Sequence, residues 1–239
     1  MESVRIEIVS LLEGARSARG WVVIIDVYRA MTTLAVAFSR GARAVRIAAD
    51  PAEALRLRST GGGDLCAGEV DGRRPPGFDF GNSPSELSRA ELQGKTLILS
   101  TRAGAVGLEA AVGAERLFGG AFVNAAATAQ FIAAARSPLV TLAAMGWSAR
   151  ERTDEDELCA LVLRNRLEGR TPDPAAVRAL ALAGGESQKF GDPAQPWFPR
   201  ADLEMALDFD RFDFAVEVVR DSTGLTARRR VPPRIHSGG

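Results

Sequence analysis

Trp21-Val-Val-Ile-Ile-Asp26-Val-Tyr-Arg29-Ala-Met-Thr-Thr33-Leu-Ala-Val-Ala-Phe-Ser-Arg40-Gly41-Ala-Arg-Ala44-Val-Arg-Ile-Ala48 reads as strand, turn, helix and strand in 28 residues. The apolar β-rich run Trp21–Ile25 stops at a carboxylate. Ala30–Arg40 is a helix closed by Gly41, a natural residue just past a helix end. Ala44–Ala48 returns as a second strand. The alternation continues outward. Asp50-Pro51-x-Glu53 opens a helix with an N-cap, a first-turn proline and an acid three residues on. Asp64–Glu69 is a short strand, Lys95–Ser100 another, and the Ala-rich segment Val106–Val112 follows. Glu115–Phe118 reads as a strand, Asn124–Arg136 as a helix and Leu139–Met145 as a strand. A long helix runs from Thr153 through Leu167, and Thr171–Gly185 suggests a Pro-started helix. Phe212–Val219 is a late strand. This order predicts an α/β fold, a three-layer α/β/α sandwich around a mostly parallel or mixed sheet. Residues 1–226 form a single domain in this reading, or two α/β lobes meeting near residue 100. The tail 227–239, with Arg228 to Arg230, reads as disordered.

Composition narrows the functions. Lysine plus arginine and aspartate plus glutamate both number 30, so net charge gives no reason to expect nucleic acid or an anionic membrane as partner. No apolar run near the start is long enough for a span or signal, so the expected location is cytoplasmic. Cys66 and Cys159 lie in apolar segments and read as buried free thiols. The one histidine, His236, sits in the tail, which removes histidine triads and histidine-rich metal sites from consideration. No P-loop or dinucleotide fingerprint is present. Asp208-Phe-Asp210 reads as surface charge.

The stretch Gly68–Glu86 is hard to explain as ordinary linker. Its right end, Ser83-Pro84-Ser85-Glu86, is a capping box with proline at the first helical position. Its left end is a strand. Glu69 and Asp79 therefore sit in a pinned connection, and function concentrates on loops held by rigid scaffolds. Asp26, Glu69, Ser100-Thr101 and Gly146 all fall at strand ends, where open α/β sheets bind ligands. Asp26-x-x-Arg29 with Thr32 and Thr33 suits an oxyanion, and equally reads as a capped helix start. Asn124 is an N-cap or a substrate contact. Trp147 and Phe190 to Phe198 read as either core or cleft. Oxygen-only ligands select a hard cation, Mg2+ above others.

Gly68-Glu69, Gly77-Phe-Asp-Phe-Gly-Asn-Ser-Pro84 and Asp26-Val-Tyr-Arg-Ala-Met-Thr-Thr33 together resemble the 2-phosphosulfolactate phosphatase family, from about Ile24 to Val219. The resemblance implies Mg2+-dependent hydrolysis of (R)-2-phospho-3-sulfolactate to 3-sulfolactate and phosphate. It implies catalytic Asp26, Glu69 and Asp79, and metal ligands among Glu69, Asp79, Glu155 and Asp156. Arg29, Thr32, Thr33, Asn82, Ser83, Thr101, Arg102 and Asn124 are then the substrate contacts, with Arg73 or Arg74 behind them. The partner is a small phosphate or sulfonate anion, and a homodimer is left open. The chain departs from the family at Ser100-Thr101-Arg102-Ala103-Gly104-Ala105, where Thr-Thr-Asn-Gly-Thr is common, at Tyr28 and Met31, and at Phe190-Gly191. Two alternatives follow: a phosphatase for another small phosphorylated acid, and a non-catalytic anion binder on the same fold.

Overall fold

The computed structural model describes residues 4–233. Arg5–Ser10 forms β1 and Leu11–Ser17 forms α1. The quoted stretch becomes β2 (Gly20–Ile25), α2 (Ala30–Ser39) and β3 (Ala44–Ile47). Then come α3 (Pro51–Ser59), β4 (Leu65–Gly68), the two-residue β5 (Phe80–Gly81), α4 (Pro84–Leu87), β6 (Thr96–Ser100) and α5 (Gly104–Ala110). β7 (Ala114–Gly120), α6 (Ala125–Ala135), β8 (Leu139–Ala144), α7 (Asp154–Leu167) and α8 (Pro174–Ala183) follow. The described chain closes with α9 (Arg200–Ala206), β9 (Ala215–Asp221) and β10 (Gly224–Arg230).

All ten strands among the described residues belong to one sheet in the order β1-β8-β2-β7-β9-β10-β3-β6-β4-β5. Its two flanks are parallel: β1, β8, β2 and β7 on one side, β3, β6, β4 and β5 on the other. The β9–β10 hairpin sits between them, antiparallel to β7 and to β3. The sheet is mixed for this reason. Parallel flanks need helices on both faces to bury their apolar runs, and the glycine pair at the end of β7 shows where the helices lie. A Cβ on Gly119 would meet Met31 and Leu34 of α2, and a Cβ on Gly120 would meet Leu163 of α7. Neighbouring residues of a strand point to opposite faces, so α2 and α7 cover opposite sides. Val22 to Ile25, Phe118 and Leu97 to Leu99 are almost completely buried between these layers.

The tail expected to be disordered from Ala227 begins later. Ala227–Arg230 lies inside β10, where all four residues pair with β9 and Ala227 also pairs with Val45 of β3. Leu225 and Ala227 are buried, and Arg230 donates to Glu217 Oε2 at 2.6 Å, so these arginines snorkel from a central strand. The rest of that tail from 234, with His236, lies outside the described residues. Asp210 is also more than surface charge: its carboxylate accepts from Ala126 N at the start of α6 and from Arg166. Cys66 and Cys159 are buried free thiols, and burial pushes both thiols up from their ordinary pKa.

Candidate active site

Asp26 ends β2 and turns into α2. Its Oδ1 accepts from Ala30 N at 3.0 Å and its Oδ2 from Gly104 N at 2.7 Å. The second bond is open only to glycine, because a Cβ at Gly104 would lie 2.7 Å from Ala30 Cβ and 2.8 Å from Asp26 Oδ2. Glu69 follows β4 on the other parallel flank. Its Oε1 accepts from Arg102 N and its Oε2 from Gly72 N, both at 2.8 Å. Both acids line one narrow pocket of about 30 Å3, with Arg29, Asn82, Arg102 and Gly146 among the other walls. Tyr28, Trp147 and Phe198 also line it, so these aromatics face the cleft as well as the core.

Burial is the main reason that the Asp26 carboxyl is pushed up to about 6, with the charge of Glu69 adding to it. Glu155 and Asp156, at the start of α7, are buried too. Burial pushes Glu155 up to about 8 and Asp156 well above its ordinary value, and the acids raise one another. Asp156 has a structural duty. Its Oδ1 accepts from Val27 N at 2.7 Å and its Oδ2 from Gly146 N at 2.8 Å, tying the ends of β2 and β8 to α7. Gly146 itself sits at φ 64°, where a Cβ would strike Glu151 O at 2.0 Å.

The expected four-carboxylate metal set is not assembled. Asp79 points away from the pocket, bonded through Oδ2 to Arg58 and to Cys66 N, both at 2.8 Å. These bonds tie the loop before β5 to the start of β4 and to α3. Glu155 and Asp156 line neither the pocket nor the larger cavity beside it. Among the described residues no three acid, cysteine or histidine side chains converge as a ready-made metal cage. Asp26 and Glu69 nevertheless fit one mode of Mg2+ binding. Each of their oxygens spends one lone pair on a backbone N–H and keeps another. Neither acid has an ion-pair partner among the described residues, and Mg2+ is commonly held by one or two carboxylates with water and substrate phosphate completing its shell.

Several expected substrate contacts are spent on the scaffold. Thr32 Oγ1 donates to Val27 O, and Thr33 Oγ1 is buried without a partner; neither lines the acid pocket or the larger cavity beside it. Thr101 Oγ1 accepts from Ala105 N and so caps α5. Asn124 Oδ1 accepts from Ala121 N while its amide donates to Gly119 O. Ser83 is the N-cap of α4, but Glu86 reaches Gly81 N rather than the cap residue. Asn82 and Arg102 do face the pocket, and Asn82 Oδ1 is buried with no partner.

Arg29 is held on every side. One nitrogen donates to Trp197 O and to Asp202 Oδ2, both at 2.7 Å, and the other to Gly72 O at 3.2 Å. Its guanidinium lies 4.7 Å from the Phe198 ring centre. Asp202, fully buried in α9, also accepts from Ser83 Oγ at 2.8 Å and Ser85 N at 2.9 Å. Sequence reading passes over Asp202 because it follows the irregular Pro193–Pro199 crossing. Its one signal is an acid in the first turn of the helix after Pro199.

A narrow acid pocket outside the strand ends of an α/β sheet, with Arg102 in its wall, is an arrangement suited to an enzyme acting on a small anion. Comparison with known proteins gives the family. The model of the 2-phosphosulpholactate phosphatase family matches residues 6–191. The probable 2-phosphosulfolactate phosphatase of Bacillus subtilis is 30% identical over 210 residues, 87% of this chain and 90% of that protein. The protein of the same description from Carboxydothermus hydrogenoformans is 43% identical over 111 residues, spanning 46% of each chain. That of Thermosynechococcus vestitus is 32% identical over 154 residues, or 63% of its length. This chain belongs to the 2-phosphosulpholactate phosphatase family.

Proposed function

We propose that this protein hydrolyses the phosphate monoester of 2-phosphosulfolactate, releasing inorganic phosphate and 3-sulfolactate, with Mg2+ as cofactor. The observation that carries the reading is the pairing of Asp26 and Glu69 in one narrow pocket without a counter-cation of their own. Two carboxylates held this way repel one another, and a bound cation relieves the repulsion. Glu69, with Asp26 beside it, would hold the Mg2+ ion, which supplies charge neutralisation for phosphoryl oxygens and a lowered pKa for water.

The other parts of the reaction fall to the chain itself. Water attacks phosphorus, its oxygen forms the new P–O bond, and the ester P–O bond breaks. Asp26 accepts the proton that the water loses and returns it to the leaving alkoxide, the two-way role of a general base and acid within hydrogen-bond reach of the reacting oxygens. The Arg102 side chain, at the pocket wall, stabilises charge on the phosphoryl oxygens. Tyr28, Trp147 and Phe198 limit the entry of bulk water. Arg29 acts as a clamp on the loop of Glu69, since it grips Gly72 O while Gly72 N binds the Glu69 carboxylate.

Phosphate release is to be measured with and without Mg2+ on phosphosulfolactate, phospholactate, phosphoglycerate and an aryl phosphate. Turnover that needs Mg2+ and favours phosphosulfolactate is expected. Preference for another member supports the second reading, a phosphatase of another small acid, which Arg102 in place of a family amide favours. No turnover on any of them leaves a small-anion binder.

A further inference from the structure

The acid pocket is too small for an organic substrate. At about 30 Å3 it holds a few waters or part of a phosphoryl group, since one water needs roughly 10–15 Å3 measured this way. A much larger cavity of about 610 Å3 adjoins it and shares Arg29, Gly72 and Asn82 with it. Cavities of roughly 300–1,000 Å3 hold ligands of drug size, so a three-carbon acid does not fill this one.

The larger cavity carries its own polar equipment. Asn82 is 4% exposed and its Oδ1 lacks a partner. Trp197 Nε1 is likewise buried without an acceptor. Buried polar groups are ordinarily paired, and each exception calls for a reason. Arg89 lines the same space with no ion-pair partner among the described residues, because its neighbouring acids are engaged elsewhere: Glu86 with Arg74 and Glu91 with Arg40. Arg29 cannot serve here. Its charge is already matched by Asp202 and its hydrogens are directed at backbone carbonyls. Phe80, Pro196 and Pro199 supply apolar wall between the polar groups.

We infer that this cavity seats the non-transferred end of the substrate, with Arg89 as the cation for its sulfonate or carboxylate and Trp197 Nε1 as a second donor. The inference rests on the phosphatase reading for the direction of the substrate. It adds that Arg89 sets specificity and that acids longer than three carbons are accommodated. Asn82 Oδ1, between the two spaces, would then accept from a hydroxyl of the product.

Two measurements test it, one without turnover. In calorimetric titration with 3-sulfolactate, Arg89→Ala should weaken Kd at least tenfold and Trp197→Phe several-fold, with Arg89→Lys recovering part of the loss. In steady-state kinetics, the ratio of KM for phenyl phosphate to KM for phosphosulfolactate should collapse at least tenfold in Arg89→Ala, with the effect in KM rather than kcat. A phosphorylated 2-hydroxyglutarate should have a KM within about tenfold of that for phosphosulfolactate. Unchanged Kd and KM in Arg89→Ala overturn the inference even where wild-type turnover upholds the phosphatase reading. Sulfolactate binding that depends on Arg89, without turnover of any ester, upholds the seat and removes the phosphatase reading. Exclusion of the five-carbon acid overturns the claim about size.

Discussion

Replacing Asp202 by asparagine should be among the most damaging single changes in this protein. Asp202 is 0% exposed and accepts three bonds, from Arg29, Ser83 and Ser85. Asparagine keeps one acceptor oxygen and turns an N–H2 toward groups that are themselves donors. It also leaves the buried Arg29 charge unmatched, and removing one partner of a buried ion pair costs about 3–5 kcal/mol. For a chain of this size each kcal/mol lowers Tm by roughly 2–4 °C, so a fall on the order of 10 °C is expected in thermal unfolding followed by circular dichroism. A second signature separates this from generic damage. The double variant Arg29→Met/Asp202→Leu should lose less than the sum of the two singles, because apolar groups replace both charges. Activity of the folded fraction should fall as well, since Asp202 fixes Arg29, Arg29 grips Gly72 O, and Gly72 N holds Glu69. A Tm within about 2 °C of wild type, or a double variant as damaged as the sum, would refute this account of the clamp.

Glu69→Gln and Asp26→Asn should each abolish measurable phosphate release while leaving the circular dichroism spectrum intact. Asp79→Asn should instead cost about 1–2 kcal/mol in urea unfolding, for an ion pair with 32% and 33% of its side chains exposed and one backbone bond, and leave kcat/KM within about twofold. Arg102→Ala should lower kcat/KM by on the order of 10²-fold, as loss of a preorganised donor does. With metal withheld by a chelator, stability should fall as pH rises. Glu155 is raised from 4.5 to about 8, so its protonated form favours the folded state fully below 4.5 and the advantage is lost as pH climbs through 8. The loss is of order 3 kcal/mol or more. Urea midpoints at pH 5 and 8 check it, and Glu155→Gln should flatten the difference.

The fold was legible where local signals were redundant. Asp50 and Ser83 cap their helices as read, accepting from Glu53 N and Glu86 N, because a cap, a proline and an acid all mark the same boundary. Ala227–Arg230 misled because three arginines signal solvent, whereas pairing on both sides of β10 is a long-range fact that composition cannot carry. The same division runs through the site. Asp26 and Glu69 stand at strand ends, where topology alone nominates them. Asp79, Thr32, Thr101 and Asn124 carry the right chemistry at turns, and turns consume such side chains in capping. Asp202 was invisible since its partners lie 117 or more residues away in sequence. Arg89 likewise gains meaning only from a cavity that the chain builds with distant segments.

The hairpin at the centre of the sheet also bears on how the chain is made. β10 pairs Leu225 with Ile47, and β9 pairs Val218 with Leu117, so these two strands join flanks that left the ribosome long before them. Until then β7 and β3 each present an unsatisfied edge, the surface most open to pairing with another chain. The sheet can therefore close only once β9 and β10 are made, and a nascent chain stalled before Ala215 would carry two half-sheets exposed to aggregation and in need of chaperone cover.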